Sequence, residues 1–236
     1  MREMLRILST ENSMIRPVIQ LLMLKRATRF TKKCLGTEEV NITSDLLVLQ
    51  NHLKRLIDSF PDKGFRRDYW LSPYPEVILY TLLRTLRPRT VVETGVSGGI
   101  SSSYMLQALK DNGCGMLYSI DLPSSRYRYR YKSGWMVPEH LRNRWSLIIG
   151  DSKKELKPLL INLREIDAFF HDSLHTYEHM LWEYKTVWPF IRWGGLLISD
   201  DIQSNRAFHH FSKIINRKTY SYRKGPFTYL GVIRKS

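Results

Sequence analysis

The stretch Thr90–Gly99, TVVETGVSGG, constrains this chain more than any other. Its β-branched run reads as a buried parallel strand that stops at Glu93, three glycines follow within the next six residues, and the apolar segment 100–109 reads as a helix. A glycine-rich turn between strand and helix lets a ligand approach the backbone and meet the positive end of the helix. That is a nucleotide-type site. The spacing then separates nucleotide classes. A dinucleotide fingerprint needs G-x-G-x-x-G, whereas Glu93, Gly95, Ser97, Gly98 and Gly99 give E-x-G-x-S-G-G.

Further carboxylates follow at strand ends. Met116–Ile120 reads as a second strand closed by Asp121, about twenty residues beyond the glycine turn, where a carboxylate can accept both hydroxyls of a ribose. Trp145–Ile149 reads as a third strand ended by Gly150, Asp151 and Ser152, residues that serve equally as a helix N-cap for the segment 153–160. Ile166–Phe170 reads as a fourth strand running into His171-Asp172-Ser173-Leu174-His175-Thr176-Tyr177-Glu178, followed by an amphipathic helix to about Phe190. A fifth strand leads from Gly194-Gly195 to Asp200-Asp201. Helices are expected at 72–86 and 205–215, and the segments 218–222 and 227–233 around Gly225-Pro226 read as a terminal antiparallel hairpin.

The glycine pattern resembles the first motif of class I S-adenosylmethionine-dependent methyltransferases, with Ser97 in place of the middle glycine. The His171–Glu178 block and the Gly194–Asp201 block resemble the group acting on small molecules and sugars, including macrolide-sugar O-methyltransferases and cephalosporin hydroxylase-like relatives. Leu174 stands where that group often has an acidic residue, and Trp193 where it has proline. The resemblance, from about Pro73 to the C-terminus, implies an α/β, Rossmann-like fold: a seven-stranded, mostly parallel sheet with a C-terminal antiparallel hairpin and helices on both faces. It implies S-adenosylmethionine as cofactor, held by Glu93, Gly95, Ser97, Gly99, Asp121, Asp151, Ser152 and Asp172.

An aliphatic hydroxyl is a poor nucleophile until its proton is removed or its oxygen is held on a metal. Asp172, Asp200 and Asp201 would converge at one edge of the sheet, a set suited to Mg²⁺ or another divalent cation. His175, three residues beyond Asp172, is the metal-free general base, or else a hydrogen bonder that fixes its loop. The expected activity is O-methylation of a small molecule, sugar or glycan precursor. A cephalosporin hydroxylase-like oxygenase and a non-catalytic cofactor-binding protein are the rival readings.

A chain of 236 residues with 43% hydrophobic content suits one large domain bearing an appendage, here a helical extension over 1–68 and a methyltransferase domain over 69–236. No apolar run is long enough to span a bilayer, and two distant cysteines indicate neither a disulfide framework nor a zinc site, which fits a cytoplasmic protein. Met14–Leu24 is apolar with basic residues behind it, the reverse of a signal peptide. It suits a helix lying peripherally on an anionic membrane, or one packed on the core or on a second subunit. The net charge of +15, the Arg and Tyr alternation over 126–131 and the absence of acidic residues from 205 to 236 favour an anionic ligand. The His-Asp-Ser-Leu-His end of the fourth strand differs from the N-P-P-Y motif of base-modifying enzymes and argues against nucleic acid. The loop 124–135 is expected to be an adaptable cover over the site.

Overall fold

Parallel strands buried on both faces form the centre of the computed structural model, which describes residues 15–37, 39–61, 74–123 and 132–236. The element order is α1 (Ile15–Leu35), α2 (Asp45–Ser59), α3 (Val77–Leu86), β1 (Thr90–Thr94), α4 (Ile100–Asn112), β2 (Met116–Asp121), β3 (Trp145–Ile149), α5 (Ser152–Leu163), β4 (Ile166–His171), α6 (Tyr177–Val187), β5 (Ile191–Ser199), α7 (Ala207–Ile214), β6 (Thr219–Arg223) and β7 (Tyr229–Arg234). Short 3₁₀ turns precede α3 and β3 and follow α6. The seven strands lie in the order β3-β2-β1-β4-β5-β7-β6, with β7 antiparallel to both its neighbours and the remaining pairings parallel.

Side chains alternate across a strand, so each central strand feeds two cores. Val91, Ala168, Phe170, Leu196 and Ile198 join the core under α1 to α4, which also takes Tyr222, Leu230 and Val232 from the hairpin. Val92, Phe169 and Leu197 point the other way, into the core under α5 to α7. Every residue of β4 is buried. That explains why its sequence is largely apolar on both faces, Ala168, Phe169 and Phe170 in succession, rather than alternating.

The chain changes direction across the sheet between β1 and β4, whose residues Thr94 and His171 are register partners. Such a switch point opens a crevice at the carboxyl ends of the strands. Asp167 sets the opposite end: its Oδ2 accepts the N–H groups of Arg89 and Thr90 at 2.7 and 2.8 Å. Arg192 donates to its other oxygen.

Several boundaries differ from the expected ones for local reasons. The helix expected to reach Phe190 stops at Val187, and Trp188–Phe190 tightens into a 3₁₀ turn around Pro189. The last helix starts at Ala207 because the Asn205 side chain caps it, accepting the Ala207 N–H at 2.8 Å. The start expected at Ser72 and Pro73, the dividing line at 68/69 and the loop residues 124–131 lie outside the described residues. Among the described residues, no helix is long and apolar enough to cross a membrane.

Helix α1 packs on the sheet domain. Ala27, Thr31 and Cys34 are buried, the Thr31 hydroxyl meets that of Thr81 at 2.9 Å, and Phe30 packs edge-on against Tyr222 with ring centroids 5.3 Å apart. Val18, Leu21 and Leu22 on the same helix are exposed.

Candidate functional site

The turn after β1 places the first group of expected site residues. Gly95 takes φ +85° and Gly99 +90°, both in the region that disfavours side chains. A Cβ on Gly95 would stand 2.0 Å from the Asp172 carbonyl oxygen, and one on Gly99 2.6 Å from Val137 Cγ2. These glycines therefore answer to the protein's own backbone and side chains whether or not a ligand also approaches them. Ser97, with φ +51°, presents its N–H to Asp121 Oδ2 at 3.2 Å, so the turn is tied to the end of β2.

Glu93 is placed differently from the sequence expectation. Its carboxylate is fully buried beneath the turn and accepts three serine hydroxyls: Ser101 at 2.8 Å, Ser102 at 2.7 Å and Ser119 at 2.6 Å. Burial pushes its pKa up to about 7, and the three hydroxyls hold it from rising further. Glu93 holds β1, β2 and α4 together and does not line the crevice. Gly99 likewise lies behind it.

The crevice itself is a cavity of about 510 Å³. Gly95, Ser97, Asp121, Asp151, Ser152 and Asp172 all line it, joined by Leu122 and Leu174, whose side chains are exposed there. Asp151 caps α5, its Oδ1 accepting the Lys153 N–H at 2.9 Å, while Ser152 begins the helix and its hydroxyl meets His179 Nε2 at 3.2 Å. An acceptor-only carboxylate at Asp121 and apolar walls from Leu122 and Leu174 fit a ribose diol and a flat heterocycle.

A buried network that the sequence reading did not single out lies behind this wall. Glu183 on α6 accepts from Thr94 at 2.7 Å, contacts His171 Nδ1 at 2.6 Å and His179 Nε2 at 2.9 Å, and accepts from Ser173 at 3.0 Å. These partners hold its carboxyl well below the usual range against the opposing effect of burial. His179 and Glu183, one turn apart on α6, were the available signal.

At the ends of β4 and β5 the acidic residues meet a lysine. Lys224, in the turn between β6 and β7, lies 2.8 Å from Asp200 Oδ2 and 2.7 Å from Glu76 Oε1, and all three side chains are largely buried. The carboxylates raise the lysine pKa well above its ordinary value, although burial opposes them. Asp172, a third of whose side chain is exposed, stands 3.8 Å from His175 Nε2. Partial burial, then the charge of Asp200, raises its pKa above the ordinary carboxylate value. Burial and the neighbouring His171 lower that of His175, whose Nε2 has no hydrogen-bond partner among the described residues.

This arrangement does not fit the expected metal set of Asp172, Asp200 and Asp201. Asp200 Oδ2 accepts from the Lys224 ammonium, and Asp201 Oδ1 accepts from Gln203 at 2.8 Å. Among the described residues, no group of three or more His, Cys, Asp or Glu side chains is arranged to hold a metal ion. The offsetting charge expected from a cation is present as an ammonium group.

Comparison with known proteins bears on the fold. Residues 92–202 match the family model described as a methyltransferase domain. No curated protein matches the sequence. Among solved structures, the SAH-bound methyltransferase PaMTH1 of Podospora anserina is similar with TM-score 0.58 and 16% identity, over 90% of this chain and 96% of that one. The O-methyltransferase TomG of Streptomyces achromogenes, involved in tomaymycin synthesis and solved with SAM, gives 0.56 and 16%, over 84% and 93%. The Bacillus cereus O-methyltransferase solved with SAH gives 0.53 and 14%, over 90% and 100%.

Proposed function

We propose that this chain, which carries a methyltransferase domain over residues 92–202, uses S-adenosylmethionine to methylate a hydroxyl group of a small molecule, sugar or glycan precursor. The supporting observation is the crevice at the switch point, where Asp121 and the Gly95–Ser97 turn share one wall of a cavity of about 510 Å³. S-adenosylmethionine supplies a methyl group on a sulfonium, an electrophile that needs alignment more than activation. In this reading Asp121 holds the ribose, Leu122 and Leu174 flank the adenine, and Asp172 marks the end of the cavity nearest the acceptor. O-methyltransferase neighbours such as TomG favour oxygen as the acceptor atom.

The acceptor hydroxyl must lose its proton as its oxygen gains the methyl group. His175 is placed to take it beside Asp172, which lines the crevice: burial keeps the ring neutral at neutral pH, and Nε2, itself buried and without a hydrogen-bond partner among the described residues, lies 3.8 Å from Asp172 Oδ1. The net charge of +15 favours an anionic acceptor. The direct test is calorimetric titration with S-adenosylhomocysteine. Wild type should bind, and Asp121→Asn, which keeps the shape but gives up the full carboxylate, should bind at least about tenfold more weakly, worth ~1.4 kcal/mol. Equal affinity in the two proteins would move the cofactor elsewhere. Isotopically labelled methyl donor, incubated with cell extract with and without the enzyme, then reports the acceptor.

A further inference from the structure

We infer that the Lys224 ammonium is the resident cation of the β4–β5 edge and keeps a divalent metal out of it. A hard divalent cation in a carboxylate-lined site would surround itself with oxygen ligands at about 2.0–2.6 Å and offset the repulsion between the acids. Both roles already have an occupant here. Lys224 Nζ stands at hydrogen-bond distance from Glu76 Oε1 and Asp200 Oδ2, 2.7 and 2.8 Å away, with side-chain exposures of 10 to 12% across the three residues. A metal ion drawn to Asp200 would face this ammonium in a poorly solvated setting, where like charges repel strongly.

The backbone around Lys224 is fixed, so the ammonium is not free to swing away with its strand. The Lys224 N–H donates to the Thr228 carbonyl at 2.9 Å. The preceding Arg223 braces the turn, reaching the carbonyls of Gly225 at 3.0 Å and Pro226 at 2.8 Å. From α1, Arg26 donates to the Arg223 carbonyl at 2.9 Å. Three separate segments, the 3₁₀ turn before α3, the end of β5 and the β6–β7 turn, thus meet at one nitrogen.

Two buried carboxylate oxygens at this junction, Asp200 Oδ1 and Glu76 Oε2, have no hydrogen-bond partner among the described residues. Lys224 is accordingly a positioning residue. It offsets the repulsion between Asp200 and Glu76, orients both, and leaves each with an acceptor oxygen that has no hydrogen-bond partner among the described residues.

The inference rests on the proposed function only in taking this edge as the acceptor end; its test needs no turnover. Metal-stripped wild type is titrated with Mn²⁺ and followed by electron paramagnetic resonance, with S-adenosylhomocysteine affinity measured in parallel with and without chelator. The expected result is that the Mn²⁺ signal stays that of the free ion and that chelator changes no affinity. Lys224→Ala, checked for folding by circular dichroism, should gain a bound Mn²⁺ that the double variant with Asp200→Asn loses. Mn²⁺ bound by wild type and released by Asp200→Asn alone would overturn the inference. So would a folded Lys224→Ala that binds no more Mn²⁺ than wild type. Should Lys224→Ala fail to fold, the wild-type titration decides. Absence of S-adenosylhomocysteine binding would count against the proposed function and leave the metal result readable.

Discussion

Glu93 shows how far a motif residue can be from the role its position implies. A carboxylate two residues before the glycine turn reads as a ligand contact, yet three serine hydroxyls and complete burial make it a structural hub. Its folded pKa of about 7 lies above the ordinary glutamate value of 4.5. A group whose pKa is raised on folding stabilises the fold below its unfolded pKa, and that contribution disappears as pH climbs through the folded value. Between pH 4.5 and 7 the wild type should therefore lose roughly 3 kcal/mol through this residue. Glu93→Gln should abolish that slope, since the amide does not titrate and the serine hydroxyls can rotate to meet it. Urea melts of both proteins at several pH values check this; parallel slopes would mean that Glu93 titrates normally. Glu183 acts in the opposite sense and in a different window. Its lowered pKa gives stability that is lost as pH falls below the ordinary glutamate range. His175 belongs to this scale as well. If it is the base, His175→Ala should cost about 10²–10⁴ in rate. Its lowered pKa should keep the wild type active somewhat below pH 6.5, the ordinary histidine value. A rate that already declines at higher pH would assign the proton transfer to another group.

At the scale of elements, the β1–α4 turn couples folding to binding. Because a Gly95 side chain would meet the backbone of the β4 end at 2.0 Å, with φ at +85°, Gly95→Ala should destabilise the protein by more than about 3 kcal/mol, read from the urea midpoint. Loss of ligand affinity in that variant would not by itself locate the ligand, which is why Asp121→Asn is the cleaner probe. Gly231 presents the same problem inside a strand. Its Cβ would fall 2.5 Å from Phe208 Cζ, so Gly231→Ala should cost about 1–3 kcal/mol by prising α7 from β7. The parallel strands were legible because burial on both faces leaves short runs rich in β-branched, aliphatic and aromatic residues, as at Ala168–Phe170. The order of carboxylates at their ends followed from the same reading. What the sequence could not show was which of these carboxylates already has a partner. Lys224 lies in a polar turn like many others, and only tertiary folding brings it to Glu76 and Asp200. The fate of α1 was equally hidden. A mixed apolar and basic stripe is compatible with a membrane, a second subunit or the core, and only the packing of Ala27, Thr31 and Cys34 selects the last for its inner face.

The whole molecule is two cores sharing one sheet, and α1 and α2 are part of the first rather than beside it. Ala27, Cys34, Leu46, Leu49, Leu53 and Ile57 belong to the same cluster as Val91, Phe170 and Ile198 of the central strands. Among the described residues, α1 and α2 thus share the core of the sheet rather than forming a separate one. The 236-residue chain should unfold in a single transition with coincident midpoints by tryptophan fluorescence and far-ultraviolet circular dichroism. Removing residues 1–36 should lower stability by on the order of 5 kcal/mol, because it uncovers the apolar faces of α3 and the hairpin. A truncated chain that melts with the 236-residue one would make α1 an independent appendage. Cys34 offers a local check without any deletion. Buried on α1, its thiol is pushed up to about 12 and so is unreactive, whereas Cys114 is only half-buried. In native buffer an alkylating reagent should label Cys114 first, with Cys34 reacting only at the rate at which the whole fold opens. Graded denaturant should accelerate Cys34 labelling with the steep dependence of global unfolding. A shallow dependence, with Cys34 exposed long before the sheet melts, would show that α1 lifts off by itself, and with it the Arg26 contact that steadies the Lys224 turn.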